Sequence, residues 1–227
     1  MKHPIGKRLL SAAEFVRQGA YFADIGTDHA YLPLFLLEEG KIERAVCADI
    51  NAGPLESARN NAEEYGLSER ILFRLTNGAI GLSDMCITDY AICGMGGELI
   101  TEIIEASEHL KRPDVRLILQ PMSKQAHLRR YLAACGFATV GESYSYDSGK
   151  YYLCLAAEYT GEPVEIDDFE AEFGTPSFAA DLSTEMKGYF DEKIRALEKA
   201  ARGKIKGGET FPAELKLLNE YKERTKK

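Results

Sequence analysis

A chain of 227 residues, 45% of them apolar and 28% charged, is long enough for one substantial α/β domain with a small appendage and too apolar to be disordered. No apolar run reaches the roughly 18 residues that span a bilayer, and the basic start, Met1 to Arg8, lacks the apolar core of a signal peptide, so a cytoplasmic protein with no membrane partner is expected. The net charge of −8 is unevenly spread: residues 183–227 hold 12 Lys and Arg against 8 Asp and Glu, and residues 1–182 hold 16 against 28. An acidic body with a basic end can still meet a polyanion locally.

In chain order, the apolar run Ala20 to Ala23 reads as a strand, Asp24-Ile25-Gly26-Thr27-Asp28-His29-Ala30 as a tight turn, and Tyr31 to Glu39 as a helix. Strand, Gly turn and helix in that order open the nucleotide pocket of a Rossmann-like unit. A second apolar run, Ala45 to Ala48, delivers Asp49 to a strand end, where a carboxylate can accept hydrogen bonds from both hydroxyls of a ribose. The turn is wrong for a dinucleotide. The G-x-G-x-x-G pattern needs a second Gly beside the pyrophosphate, and Asp28 stands in that place. An anion there repels phosphates but tolerates the sulfonium and amino group of S-adenosylmethionine, so methyl transfer is expected over hydride transfer.

Gly53-Pro54 starts a helix to Tyr65 that Gly66 ends. Ile71 to Leu75 is a third strand, closed by Thr76-Asn77-Gly78. Tyr90 to Cys93 is a fourth, followed at once by a Gly94-Met95-Gly96-Gly97 turn and a helix from Glu98 to Ser107. Arg116 to Gln120 is a fifth, closed by Pro121, and a helix from Ser123 to Cys135 ends at Gly136. This alternation implies a parallel, doubly wound sheet. Phe137 to Tyr146 and Tyr151 to Glu158 flank Asp147-Ser148-Gly149-Lys150, which is hairpin material. A parallel sheet finished by an antiparallel hairpin is an α/β, class I (Rossmann-like) methyltransferase sheet, assigned to residues 1–162. Residues 163–227 are expected to add a C-terminal antiparallel helical hairpin, coiled-coil-like in character. Met186, Phe190, Ile194, Leu197 and Ala201 form a near-heptad stripe, Gly203 to Gly208 break the helix, and Pro212 opens a second one carrying Leu215, Leu218 and Tyr221.

The strand ends carry the chemistry. Cofactor contacts are expected from Asp24, Gly26 and Thr27 in the first loop, Asp49 and Ile50 in the second, Asn77 and Gly78 in the third, and Cys93, Gly94 and Met95 in the fourth. The Asn77 amide can meet the amine and a ring nitrogen of an adenine. Gly96 and Gly97 leave a backbone-lined opening for a substrate base, and Gln120-Pro121 is a further substrate candidate. Asp28, His29 and Tyr31 put three reactive or stacking groups within four residues at the pocket mouth and are the catalytic candidates. The cysteines Cys47, Cys86, Cys93, Cys135 and Cys154 have no C-x-x-C spacing, so neither a disulfide framework nor a zinc site is expected, and no metal. A small-molecule methyltransferase and a non-enzymatic RNA-binding protein with a vestigial pocket are the competing readings.

Asp24 to Pro33, Gly94 to Gly97 and Leu119-Gln120-Pro121 together resemble the bacterial TrmK family, as do Lys7-Arg8-Leu9-Leu10 and Asp147 to Tyr152. The resemblance covers nearly the whole chain and departs from the family at Asn77 and Met122, where Asp and Asn are common. It implies a tRNA methyltransferase that modifies N1 of adenine 22 with S-adenosylmethionine; the charge split assigns tRNA contact to Lys7, Arg8 and the helical tail, and a monomer is favoured while the oligomeric state stays open.

Overall fold

The computed structural model describes residues 5–174 and 183–224. Residues 1–4 and 225–227, which hold part of the basic ends read from the sequence, lie outside them. Helix α1 (Lys7–Phe15) precedes the first strand, and strands β1 (Phe22–Ile25), β2 (Ala45–Asp49) and β3 (Ile71–Leu75) alternate with α2 (Tyr31–Glu38) and α3 (Ala52–Tyr65). Then come β4 (Asp89–Gly96), α4 (Gly97–Glu105), β5 (Arg116–Ser123), α5 (Gln125–Ala134) and the hairpin β6 (Phe137–Asp147) and β7 (Lys150–Tyr159). The sheet order is β3-β2-β1-β4-β5-β7-β6. Strands β3 to β5 are parallel, and β7 runs antiparallel to both β5 and β6. The central strands β1 and β2 are buried along almost their whole length because helices cover both faces of the sheet.

Two punctuation marks read from the sequence behave differently in three dimensions. Neither Gly94 nor Pro121 ends its strand: β4 continues to Gly96 and β5 to Ser123. The ladder steps irregularly from Cys93↔Gln120 to Met95↔Pro121 to Gly96↔Ser123. Proline has no N–H for a ladder, and a bulge lets the strands pass it. The turn expected at Gly94–Gly97 is therefore a bulged extension of the sheet edge, and α4 starts at Gly97.

The C-terminal segment holds a short helix α6 (Asp168–Phe173), then α7 (Thr184–Lys206) and α8 (Ala213–Arg224). Helix α7 runs straight through Gly203 and stops at Gly207, inside the expected Gly203 to Gly208 break. Leu217 and Leu218 are buried, whereas Leu215 is only half-buried. These helices have no separate core: Phe169, Phe173, Tyr189, Phe190 and Leu217 join the cluster formed by Leu117, Leu119, Leu153 and Leu155 of the sheet. Arg129 of α5 is buried in the seam. Its guanidinium is bidentate to Glu142 of β6 at 2.8 and 3.1 Å and donates to the carbonyls of Ala171 and Glu172, and Tyr144 Oη donates to the same Glu142 at 2.7 Å. Breaking a buried ion pair by removing one partner leaves an uncompensated charge, at a cost of about 3–5 kcal/mol. Arg129→Ala should lower stability by about that amount in urea denaturation, and a loss under about 1 kcal/mol would show that water reaches Glu142.

Candidate active site at the carboxyl edge of the sheet

The five parallel strands end at one edge, and the loops that follow them build a cleft. Its walls are Arg8 and Leu9 of α1, Asp24, Gly26 and Asp28 of the first loop, Tyr31 and Leu32 of α2, and Cys93 of β4. The first loop is pinned to β2, because the N–H groups of Gly26 and Thr27 both donate to the Ala48 carbonyl, at 2.8 and 3.0 Å. Gly26 adopts φ +74, which side chains rarely tolerate, and the space beside it is taken by the Met95 methyl. The next two non-glycine residues with φ > 0 are consecutive, His29 at +64 and Ala30 at +56. Such conformations cost of order 1–3 kcal/mol each and persist where surroundings over-determine them. Here Asn61 of α3 donates to the His29 carbonyl at 2.9 Å.

Asp24 is the electrostatic centre. It is buried at the end of β1, and Thr27 Oγ1 donates to its Oδ2 at 2.6 Å. Burial pushes its carboxyl up to about 6, against the opposing pull of the Thr27 hydroxyl and the Arg8 charge. Cys93, also in the wall, is pushed up to about 12 by burial and is an inert thiol. Asp49 stands half-buried at the end of β2. Its Oδ1 accepts the Asn51 N–H at 2.7 Å, which fixes the carboxylate and leaves Oδ2 for another donor. The third loop is tied alongside by the Thr76 N–H, which donates to the Asp49 carbonyl. Ile50 is exposed beside it, and Asn77 faces solvent.

Asp28, His29 and Tyr31 come together as the sequence suggests. His29 Nε2 lies 3.3 Å from Asp28 Oδ1, and the His29 and Tyr31 rings stack with centroids 5.3 Å apart. Five other candidates find surroundings different from those expected. Thr27 is buried, and its hydroxyl is engaged by Asp24. Gly97 is buried, and a Cβ there would stand 2.5 Å from the Lys124 carbonyl, so close packing explains this glycine. Gln120 is fully buried, and both ends of its amide serve Arg8: Oε1 accepts from the guanidinium, and Nε2 donates to the Arg8 carbonyl at 2.9 Å. Pro121 is buried in β5. Arg8 itself turns inward to the cleft, whereas its neighbour Lys7 is exposed. The sequence groups Arg8 with Lys7 as a tRNA contact because both sit in a basic N-terminal run, and nothing local announces that β5 supplies Arg8 a buried amide. Among the described residues, no group of three or more His, Cys, Asp or Glu gathers as a metal site, and no helix is long and apolar enough to cross a membrane.

A methyltransferase-domain family model matches residues 5–155. The tRNA (adenine(22)-N(1))-methyltransferase of Bacillus subtilis is 37% identical over 154 residues, 68% of this chain and 65% of that protein, so the chain spans just under two thirds of that relative's length. Two solved structures cover more. Sp1610 of Streptococcus pneumoniae, in complex with S-adenosyl-L-methionine, is 34% identical over 98% of this chain and 100% of its own, with a TM-score of 0.83. TrmK of M. capricolum, in complex with S-adenosyl-homocysteine, is 27% identical over 99% and 96%, with a TM-score of 0.75.

The buried carboxyl of Asp24 has a consequence for stability. Its folded value of about 6 lies above the ordinary 3.8, so the native state holds the proton more tightly. The stabilisation is full below about pH 4 and is lost as pH rises through about 6. Asp24→Asn should therefore be more stable than the parent at about pH 8, by on the order of 1–3 kcal/mol. Urea titrations between about pH 4 and pH 8 should show that advantage shrinking toward the acid end; a constant gap would mean that Asp24 does not titrate in this range.

Proposed function

The chain belongs to the TrmK family of tRNA adenine-22 N1-methyltransferases, within the methyltransferase-domain family, and we propose from that membership and the cleft that it transfers a methyl group from S-adenosylmethionine to N1 of adenine 22 in tRNA. The observation that carries this reading is Asp49, which presents one engaged and one free carboxylate oxygen at the end of β2, beside a glycine turn already fastened to the same strand. The residues present fit the cofactor. Asp49 is placed for a ribose hydroxyl, Ile50 and Asn77 for the adenine, Asp24 for an ammonium and Arg8 for a carboxylate.

S-adenosylmethionine, when bound, supplies a methyl group on a sulfonium that is electrophilic without further activation. Adenine N1 carries its own lone pair, so no base is needed before attack. The N1–carbon bond forms as the carbon–sulfur bond breaks, and the chain's task is alignment. N1 lies on the Watson–Crick edge, so the adenine must be unpaired or turned out of its stack to reach the cleft. The ring acquires a positive charge on methylation. Asp28 is placed to accept a proton from the N6 amine, with His29 orienting it and Tyr31 offering a stacking face. Gly96 leaves room for the base, because only the Ser123 hydroxyl lies near its missing side chain.

The tRNA contact we assign to Lys7 and to one face of α7. Arg195, Lys199, Arg202 and Lys206 recur at helical spacing and are all exposed. They give the acidic chain a basic stripe at which to meet phosphates. The protein is proposed to work as a cytoplasmic monomer.

Labelled methyl groups should pass to unmodified tRNA and not to a transcript with G at position 22; equal labelling of both would overturn the assignment of the target. Charge-assisted hydrogen bonds are worth roughly 1.5–3 kcal/mol. Asp49→Ala should thus weaken S-adenosylmethionine binding about tenfold to a hundredfold in calorimetry, and unchanged affinity would remove Asp49 from the site. Reversing Lys199 and Arg202 to Glu should flatten the dependence of log K on log salt for tRNA by at least the roughly 0.9 per contact that each lost phosphate partner implies. Cofactor affinity should stay at the parent level, and an unaltered salt slope would make the stripe a solvated face.

A further inference from the structure

Helix α1 starts without a cap of its own. Gly6 holds the N-cap position and offers no side chain to the amides of the first turn. One of those amides, the Arg8 N–H, is met instead by a carboxylate from far along the chain: Asp147 Oδ2, 3.0 Å away at the end of β6. The contact depends on Gly6, since a Cβ there would stand 2.5 Å from the same oxygen. Asp147 is itself held in place. Ser148 and Gly149 take φ of +49 and +82, the two left-handed positions of a tight hairpin turn, and Ser148 Oγ donates to Asp147 Oδ1 at 2.9 Å. The Arg8 amide is the first cause that keeps the Asp147 carboxyl below the usual range, so the cap is charged, and an anion at a helix N-terminus is favourable.

Arg8 is thereby gripped from three directions. Its N–H is fixed to the hairpin tip, its carbonyl to Gln120 Nε2, and its guanidinium to Gln120 Oε1, with the Tyr152 ring 5.9 Å from the guanidinium carbon. The same side chain forms a wall of the cleft beside Asp24. We propose that Asp147 is a positioning residue for cofactor binding: by capping α1 from the hairpin tip, it sets the register in which Arg8 reaches the amino-acid end of S-adenosylmethionine. The proposal rests on the reading of Arg8 as the partner of the cofactor carboxylate. It gives the β6–β7 turn, which lies outside the cleft, a role in the cleft's geometry.

The test is calorimetric titration of S-adenosylmethionine into the full chain carrying Arg8→Ala, Asp147→Ala, Asp147→Asn or Gly6→Ala, and into the Arg8→Ala/Asp147→Ala double variant. Arg8→Ala should bind at least about thirtyfold more weakly, and Asp147→Ala about tenfold. Asp147→Asn should stay within about threefold, because its amide oxygen can accept the same N–H. Gly6→Ala, which adds a methyl outside the cleft, should reproduce Asp147→Ala by pushing the carboxylate off the Arg8 amide. The double variant should bind no more weakly than Arg8→Ala alone. Parent affinity in Asp147→Ala, or equal losses in Asp147→Asn and Asp147→Ala, overturns the proposal while leaving Arg8 in the site. Parent affinity in Arg8→Ala overturns the reading of Arg8 and the proposal with it. If Asp147→Ala fails to fold, Gly6→Ala and Asp147→Asn decide between the same outcomes.

Discussion

The cleft is organised around one carboxyl group that the fold has taken out of water. Asp24 lies near the end of a central parallel strand with sheet on either side of it, so little solvent is left to stabilise its anion. Everything near it answers that cost. Thr27 donates a hydroxyl, and Arg8 brings a positive charge from the first helix of the chain. Gln120, buried on β5, helps to hold Arg8 there through both the Arg8 guanidinium and the Arg8 carbonyl. A chain of polar contacts thus runs from the first strand through α1 to the fifth strand. The Asp24–Thr27 link is buried, and the Gln120 amide that holds Arg8 is too, so an unmet partner at either would be destabilising by more than a surface contact is worth.

Helix α1 has to be fixed at both ends for this to work. Just past its far end, Arg17 donates Nε and Nη2 to Oδ1 and its backbone N–H to Oδ2 of the fully buried Asp89 of β4, and also donates to the carbonyls of Thr88 and Asp114. The helix is short, and nine residues do not make a stable helix alone. Its position is imposed by the sheet. The same holds for the C-terminal helices, which bury aromatic side chains against β6 and β7 and lean on the Arg129–Glu142 pair. The hairpin is therefore shared: α1 lies along β6 from Asp147 to Gly141, and α7 packs on Tyr144 and Tyr151.

Most of the sheet was legible because its signals are local. Apolar runs closed by Gly, Pro or Asp gave β1 to β3 and the hairpin within a residue or two, and Gly66 does end α3 in the left-handed conformation. What local rules missed has a common cause. Pro121 and Gly94 read separately as a stop and a turn, but side by side across a ladder each accommodates the other, and the strands run on. Helix α6 is six residues long, too short for a periodic signal, although Phe169 and Phe173 are among the most buried side chains. The Asp28, His29 and Tyr31 cluster was visible because its members are neighbours in sequence. Arg8 and Gln120 are 112 residues apart, and no spacing rule joins them.

This difference between local and distant pairs also explains how the site divides its work. The groups proposed to meet a reacting base lie mostly in one short stretch, Asp28 to Tyr31, strained at His29 and Ala30 and partly open to solvent, where a nucleotide can approach. Groups suited to a small charged ligand come instead from three separate elements and are withdrawn from solvent. A polymer substrate needs an accessible edge, because most of its bulk stays outside the protein. A zwitterionic cofactor end needs the reverse, since its charges gain most from fixed partners in a dry environment. The deep part of the cleft is correspondingly the part that depends on tertiary structure, and the outer loop is the part that the sequence alone displays.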